Sequence, residues 1–274
     1  MTGPGKIRLL LADVDGTLVT SAGVLTEGSV AAARDLRQAG VALAITSGRP
    51  PRGMRMLIEP LALTNPIAGF NGAVLVNPDM SVIETHVIGE QAAPRALALI
   101  VGQGLDAWVY TPDAWLILDG SVSHVAREAA TVRFSATPVA AYTQAHLAQA
   151  VKIVGVSDDL DRVAACETEA RAALGGAASA ARSQPYYLDV THPCANKGVV
   201  VATLSARLGI PSSQIASIGD MPSDVPMFRA SGFSIAMGNA SDAVKAQAGA
   251  VTDSHEDEGF AKAVRAFILH RAAG

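Results

Sequence analysis

The stretch that decides the fold of this chain is Leu9-Leu10-Leu11-Ala12-Asp13-Val14-Asp15-Gly16-Thr17. An apolar run without alternation is typical of a parallel strand that is buried on both faces. The run ends in two carboxylates, Asp13 and Asp15, and Gly16 follows at once, which favours a sharp turn. Both acids are therefore predicted at or just beyond the carboxyl end of a strand, where open α/β sheets bind their ligands.

Two carboxylates at one strand end repel each other unless a cation, a shared proton or a cationic substrate group lies between them. A hard divalent cation such as Mg²⁺ prefers carboxylate and backbone oxygens as ligands. An EF-hand loop is excluded by the register, because Gly16 is the fourth residue from Asp13 and Val24 stands where that loop requires a bidentate Glu. An acidic turn that only caps the following helix is the remaining alternative.

Composition and charge limit the classes of protein to which this chain can belong. With 274 residues, of which 50% are hydrophobic and 17% charged, the chain can bury a large core in one or two domains. The net charge of −4 and the scattered Lys and Arg residues disfavour binding to nucleic acid or to an anionic membrane. A small molecule is therefore the expected partner.

The sequence favours a cytoplasmic location. The two cysteines are too few for a disulfide framework, and the first residues, 1–6, lead into a short strand rather than a signal peptide. The chain also contains no apolar run long enough to span a membrane, so membrane association is not expected.

Apolar runs alternate with helical patterns at both ends of the chain. Strands are predicted at 7–13, 41–45 and 66–70 with helices between them, and the same alternation returns after Lys197. Strands and helices that alternate with short connections are typical of a doubly wound fold. We therefore predict an α/β core of Rossmann-like type with a mainly parallel sheet.

The middle of the chain has a different pattern. Short predicted strands dominate residues 78–190, which contain both tryptophans and all four tyrosines. The segment is long enough for an α+β domain of its own. We predict that this insert, 78–190, interrupts a catalytic core formed by residues 1–77 and 191–274.

Four short motifs occur in order along the chain. They are Asp13-Val14-Asp15-Gly16-Thr17, Thr46-Ser47-Gly48-Arg49, Lys197-Gly198 and Gly219-Asp220-Met221-Pro222-Ser223-Asp224. Their order and spacing resemble the four signature motifs of the haloacid dehalogenase superfamily. The insert resembles the C2 cap, of the C2B variety, that its Cof-type phosphatases carry for substrate specificity. Asn71-Gly72-Ala73 and Ala236-Met237-Gly238-Asn239-Ala240 also resemble that subgroup.

The resemblance implies a Mg²⁺-dependent phosphatase that hydrolyses a small organic phosphomonoester, such as a sugar phosphate, through an aspartyl-phosphate. The catalytic residues it implies are Asp13 as nucleophile, Asp15 as general acid and base, Ser47 and Lys197. The residues it implies at the substrate phosphate are Gly16, Ser47, Gly48, Arg49, Asn71 and Lys197. The residues it implies at the metal are Asp13, Asp15 through its backbone carbonyl, Asp220 and Asp224.

Elementary chemistry supports these roles, although simpler alternatives exist for some of them. A carboxylate can attack phosphorus, and a second carboxyl group can transfer protons to and from the reacting oxygens. The alternative for Ser47 is an ordinary helix cap, for Lys197 a solvated residue at a helix start, and for Arg49 a structural salt bridge. Ser223 stands where many relatives carry Asn, so position 223 is given no role.

Two other functions remain open from the sequence. A phosphomutase or phosphotransferase would form the same aspartyl-phosphate and return the phosphoryl group to an acceptor. A non-catalytic protein that binds a phosphorylated metabolite is the other alternative, because a fold does not determine a function.

Overall fold

The computed structural model describes residues 6–121 and 124–272. Residues 1–5, on which the expectation of no signal peptide partly rests, lie outside this range. The described chain forms two compact units. The first unit is formed by the described residues of Met1–Ile83 and Asn196–Gly274, and the second by those of Glu84–Ala195.

The strands of the described residues are short. They are β1 (Leu9–Asp13), β2 (Ala42–Thr46), β3 (Ile67–Gly69), β4 (Val74–Val76), β5 (Val82–Thr85), β6 (Asp106–Tyr110), β7 (Trp115–Ile117), β8 (Thr137–Pro138), β9 (Lys152–Val156), β10 (Ser179–Gln184), β11 (Tyr187–Thr191), β12 (Ile215–Gly219), β13 (Phe233–Ala236) and β14 (Ala250–Val251).

The α-helices of the same residues vary from one turn to four. They are α1 (Glu27–Gln38), α2 (Ile58–Leu61), α3 (Ala92–Gly102), α4 (Val125–Val132), α5 (Gln144–Ala148), α6 (Leu160–Leu174), α7 (Lys197–Leu208), α8 (Val225–Ala230), α9 (Asp242–Lys245), α10 (Gly259–Ala263) and α11 (Leu269–Ala272). Within the described ranges, no helix combines the length and the apolar character that a membrane span requires.

The first unit is built on an eight-stranded sheet in the order β14-β13-β12-β1-β2-β3-β4-β5. Strands β14 to β3 run parallel to one another, and β4 returns antiparallel to β3. The predicted α/β class with a mainly parallel sheet is therefore confirmed.

The two units divide a few residues away from the boundaries predicted at 78 and 190. Strand β5 is the edge strand of the first sheet, and the division falls inside it, between Ile83 and Glu84. The second division follows Ala195, directly before α7. The short strands after residue 78 were predicted to belong to the insert, but the first of them extends the hairpin of β3 and β4 instead.

Strand β1 lies at the middle of the sheet and is buried along its whole length, as its unbroken apolar run predicts. Leu9 and Leu11 pack in one core cluster with Val201 and Leu204 of α7. Burial of apolar side chains such as these is the main favourable contribution to the free energy of folding. The packing fixes β1 and α7 relative to each other, and each of these elements carries a charged side chain at the end nearest the predicted site.

The carboxyl ends of β1, β2 and β12 meet at one edge of the sheet. Asp13 pairs in register with Thr46 at the end of β2, and Ala12 pairs with Ile218 near the end of β12. Parallel strands that end together bring the residues that follow them together. The segments after β1, β2 and β12 are therefore neighbours, although they are far apart in the sequence.

The second unit has a separate six-stranded sheet in the order β10-β11-β9-β6-β7-β8. Its strands pair antiparallel, except for β7 and β8. Residues of α3 and α6 pack with one face of this sheet in a single apolar cluster that includes Ile100, Val163 and Ile153. Trp108 and Trp115 are 1% and 0% exposed, so both indoles belong to the interior of this unit.

The adjacent residues Ile100 and Val101 of α3 test whether this cluster stabilises the second unit. Ile100 is 0% exposed and Val101 is 53% exposed. We expect Ile100→Ala to lower the free energy of unfolding by about 2–5 kcal/mol, since it leaves a cavity in the core. Val101→Ala is the matched control and should change it by less than about 0.5 kcal/mol. Urea denaturation followed by circular dichroism measures both, and equal effects would show that Ile100 does not belong to the core of the second unit.

Candidate active site

The turn after β1 presents two acids in different surroundings. Asp13 is buried, whereas the side chain of Asp15 is 48% exposed. Gly16 adopts a positive φ of 74°, and a Cβ at this position would overlap the carboxylate of Asp220. Glycine is needed here for both reasons, because the left-handed conformation and the close approach each exclude a side chain.

Lys197 lies between two buried carboxylates. Its Nζ is 2.5 Å from Asp13 Oδ1 and 2.5 Å from Asp224 Oδ1, and the side chain is 2% exposed. It occupies the first position of α7, whose N-cap residue Asn196 accepts a hydrogen bond from Val199 N at 3.1 Å. Lys197 is therefore an enclosed cation and not the solvated helix-start residue that was its alternative.

The ionisation of Lys197 is set by these two acids. Burial by itself lowers the pKa of Lys197, but the charges of Asp13 and Asp224 outweigh that effect and raise the pKa above its ordinary value. The ammonium form is therefore the stable one in this position.

Asp224 is oriented by the backbone after β12. Its second oxygen, Oδ2, accepts hydrogen bonds from the N–H groups of Asp220 at 2.9 Å and Met221 at 2.8 Å. A Cβ on Gly219 would overlap the Asp224 carboxyl group, so the strand end and this side chain are in direct contact. The carboxylate is thus held on one side by two amides and on the other by Lys197.

Asp13, Asp220 and Asp224 form a cluster whose carboxylate oxygens lie within 4.8 Å of one another. Burial raises the pKa of Asp13 well above its ordinary value, since it outweighs the lowering effect of Lys197. Burial, together with the charge of Asp224, raises the pKa of Asp220 to about 6. A cation in the cluster would favour the ionised forms and lower both values.

These three acids fit a metal ion. Three carboxylates against one ammonium leave a negative charge in a largely buried place, which a divalent cation would neutralise. The donor atoms are all oxygens, as hard cations require. Asp15 was predicted at the metal through its backbone carbonyl, and its side chain lies outside this cluster and has a different partner.

That partner is Arg49, which binds Asp15 through two nitrogens. Arg49 Nε donates to Asp15 Oδ2 at 2.8 Å, and Arg49 Nη2 donates to Asp15 Oδ1. Ser47 lies beside the pair, with its Oγ 3.4 Å from Asp15 Oδ2, and it also accepts a hydrogen bond from Arg49 N at 3.1 Å. A bidentate pair fixes the direction of both side chains. The second motif therefore contacts the first through its side chains.

Asn71 joins this group from the turn after β3. It has a positive φ of 57°, and its backbone N–H donates to Ser47 O at 2.8 Å. A Cβ at Gly48 would lie 3.7 Å from Asn71 Oδ1, so the two positions are in contact distance. Gly48 and Asn71 are thus placed beside Ser47 and Arg49, whereas their predicted contact with a phosphate group stays a prediction.

Two further residues reach Asp220, and neither was among the predicted catalytic, phosphate-binding or metal-binding residues. Thr17 Oγ1 lies 3.4 Å from Asp220 Oδ1, and Asn239 Nδ2 donates to Asp220 Oδ2 at 3.1 Å. The signal for Asn239 was its place in the turn after β13, the strand that pairs with β12. Ser223 makes no side-chain hydrogen bond within the described residues.

Comparison with known proteins gives a consistent result. Residues 10–264 match the haloacid dehalogenase-like hydrolase family. The chain is 24% identical over 263 residues to a 5-amino-6-(5-phospho-D-ribitylamino)uracil phosphatase of Bacillus subtilis, with 96% of each chain covered. It is 26% identical over 274 residues to the pyridoxal phosphate phosphatase of Escherichia coli, with 96% of this chain and 99% of that one covered.

A solved structure agrees with these sequence relatives. A phosphatase of the haloalkanoate dehalogenase superfamily from Bacteroides thetaiotaomicron has a TM-score of 0.83 to this chain, at 25% identity and with 98% of each chain covered. The predicted resemblance and the prediction of a small-molecule phosphatase are therefore confirmed. The chain belongs to the haloacid dehalogenase-like hydrolase family.

Proposed function

We propose that this protein is a Mg²⁺-dependent phosphatase that hydrolyses a small organic phosphomonoester through an aspartyl-phosphate on Asp13. The observation that carries the proposal is the Lys197 ammonium group, 2.5 Å from both Asp13 and Asp224 at the carboxyl edge of the sheet. A buried nucleophile beside a fixed cation suits phosphoryl transfer, in which charge must be stabilised while the phosphoryl group moves.

The reaction would proceed in two displacements at phosphorus. In the first, a carboxylate oxygen of Asp13 forms a bond to phosphorus while the bond to the ester oxygen breaks, and Asp15 gives a proton to the departing oxygen. In the second, Asp15 takes a proton from water, whose oxygen attacks phosphorus and releases inorganic phosphate and free Asp13. Lys197 and Ser47 would donate to the phosphoryl oxygens, with Asn71 beside them, and Arg49 would do so on leaving the carboxylate of Asp15.

The metal in this proposal is Mg²⁺, held by Asp13, Asp220, Asp224 and the backbone carbonyl of Asp15. Carboxylate oxygens favour Mg²⁺ over Zn²⁺, which prefers imidazole and thiolate ligands. When bound, Mg²⁺ would stabilise the negative charge of the transferring phosphoryl group. Burial is the main cause of the raised pKa values of Asp13 and Asp220, and a bound cation would offset the cost of keeping these buried carboxylates ionised.

We also propose that the second unit, Glu84–Ala195, acts as a cap that selects the organic part of the substrate. The relatives named above act on different phosphate esters, a ribitylaminouracil phosphate and pyridoxal phosphate. A sugar phosphate or another small phosphorylated metabolite is the proposed substrate class. In this proposal the first unit carries out the phosphate chemistry that these relatives share, and the second unit discriminates among the organic groups of the esters.

A cytoplasmic location and the absence of a nucleic-acid partner complete the proposal. The net charge of −4 supports a small-molecule substrate over a polyanion.

Asp13→Asn tests the nucleophile. The amide keeps the shape of the side chain but cannot attack phosphorus, so we expect kcat to fall by roughly 10³-fold or more while the protein stays folded. Release of inorganic phosphate measures kcat, and circular dichroism checks the fold. Asp161→Asn on the exposed surface of α6 is the matched control and should keep wild-type activity. A variant at position 13 with more than a few per cent of wild-type kcat would rule out this nucleophile.

The metal is tested by chelation and by pH. Excess chelator should abolish activity and Mg²⁺ should restore it. In the metal-free protein the folded state binds a proton at Asp220 more tightly than the unfolded state does, because the pKa of Asp220 is raised. This contribution to the free energy of unfolding is lost as the pH rises through about 6. Since Mg²⁺ competes with protons, we expect it to raise Tm more at about pH 7.5 than at about pH 5. Asp220→Asn should reduce the difference, and full activity in excess chelator would contradict the metal site.

The cap is tested by removing it. Residues 86–193 are replaced by a short Gly/Ser linker, and kcat/KM is compared with that of the full chain across a panel of phosphorylated metabolites. We expect the differences in kcat/KM among the metabolites to shrink strongly, whereas kcat/KM for a small activated ester should fall far less. Circular dichroism and thermal melting establish that the remaining core is folded. An unchanged order of preference would show that the first unit selects the substrate.

A further inference from the structure

Asn239 connects two parts of the candidate site through one side chain. Its Nδ2 donates to Gly16 O at 3.0 Å and to Asp220 Oδ2 at 3.1 Å. Its Oδ1 accepts a hydrogen bond from His255 N at 3.1 Å. Asn239 is exposed, and a side chain held by three hydrogen bonds loses more conformational entropy than one that is free in solvent. The three contacts together must outweigh this loss, and they fix the positions of the groups that they join.

The direction of this amide is determined by its neighbours. The backbone N–H of His255 can only donate, and therefore the oxygen of Asn239 must face it. The NH₂ group is then left facing Gly16 O and Asp220 Oδ2, both of which are acceptors. All three partners are satisfied by one orientation of the side chain, and the flipped orientation would satisfy none of them.

The loop that hydrogen-bonds to Asn239 also contacts the segment 21–26, which follows the first motif. We name residues Asp253–Glu258 the C-terminal clasp. His255 Nε2 lies 3.1 Å from Ser21 Oγ, and Glu256 Oε1 accepts from Ser21 N at 2.7 Å. Glu258 Oε2 accepts from Thr26 Oγ1 at 2.7 Å. The clasp thus contacts the segment 21–26 directly, and it contacts Gly16 through Asn239.

The Asn239 side chain is polar but uncharged, and this neutrality suits its position beside Asp220. Asp220 is one of three clustered carboxylates, and Lys197 already pairs with the other two. A cationic side chain beside Asp220 would neutralise it and compete with a metal ion. A neutral amide orients one oxygen of the carboxylate and leaves its charge available to a cation.

We propose that Asn239 is a positioning residue, which holds the Gly16 turn and the Asp220 carboxylate in the relative placement that a metal ion requires, with the clasp as its anchor. The proposal rests on the proposed metal site for its consequence, but the link between Asn239 and the Gly16 turn exists without a metal. The two parts can therefore be tested separately.

Asn239→Ala is the test variant, and two measurements are made on the full-length protein. Hydrogen–deuterium exchange of the metal-free protein follows the amides of Thr17, Leu18 and Val19, which bond to Val14 O in this turn. We expect faster exchange by at least about threefold, because Gly16 O loses its partner. Calorimetric titration with MgCl₂ measures the Kd for Mg²⁺, which we expect to rise about tenfold. At saturating Mg²⁺ the KM for a phosphate ester should stay within about twofold of wild type.

His255→Ala is the matched control. It removes the ring that contacts Ser21 but leaves the backbone N–H that anchors Asn239. The Kd for Mg²⁺ should therefore stay at the wild-type value, whereas exchange in the segment 21–26 should increase.

Each outcome decides the proposal. Unchanged exchange of the Gly16 turn in Asn239→Ala would overturn it, and so would an unchanged Kd in a protein whose wild type binds Mg²⁺. If the wild-type protein binds no Mg²⁺, the metal part of the proposed function fails, and the exchange measurement alone decides whether Asn239 positions the turn.

Discussion

The strongest constraint on the first unit is one buried ion cluster, the Lys197 ammonium group between Asp13 and Asp224, which permits no error in how the surrounding elements pack. A charge this deeply buried is tolerated only where partners of opposite charge and good geometry enclose it. The three side chains come from the end of β1, the start of α7 and the turn after β12. Their contact therefore requires the register of β1 against β12 and the packing of α7 against the sheet, and an error in either one would leave charges unpaired.

The same cluster leaves one of its carboxylates, Asp220, without a cationic side chain within hydrogen-bond distance among the described residues. Lys197 and two backbone amides satisfy Asp224, while the hydroxyl group of Thr17 and the amide group of Asn239 contact Asp220. Burial raises the pKa values of Asp13 and Asp220, so the contacts within the chain do not fully stabilise their ionised forms. Asp15, by contrast, is half exposed and bound by Arg49. Two carboxylates two residues apart thus have different surroundings, which separates their chemistry.

The second unit has an apolar core and a sheet of its own. Trp108 and Trp115 lie in its interior and pack edge to face, with their ring centroids 5.1 Å apart. Their accumulation in the sequence predicted a separate domain, and the boundaries at Ile83 and Ala195 differ from the prediction by a few residues. Turn signals mark where a strand ends, but they do not show which sheet the next strand joins.

The sequence by itself determined the buried strand Leu9–Asp13, the mainly parallel α/β core and the candidate residues Asp13, Lys197, Asp220 and Asp224, because burial patterns and motifs are local properties of the chain. Only the tertiary structure decided that Arg49 binds Asp15, that β5 completes the first sheet, and that Asn239 reaches Gly16. The physical reason is that such contacts join residues distant in sequence, and their distances depend on how strands register and helices pack and not on any one segment.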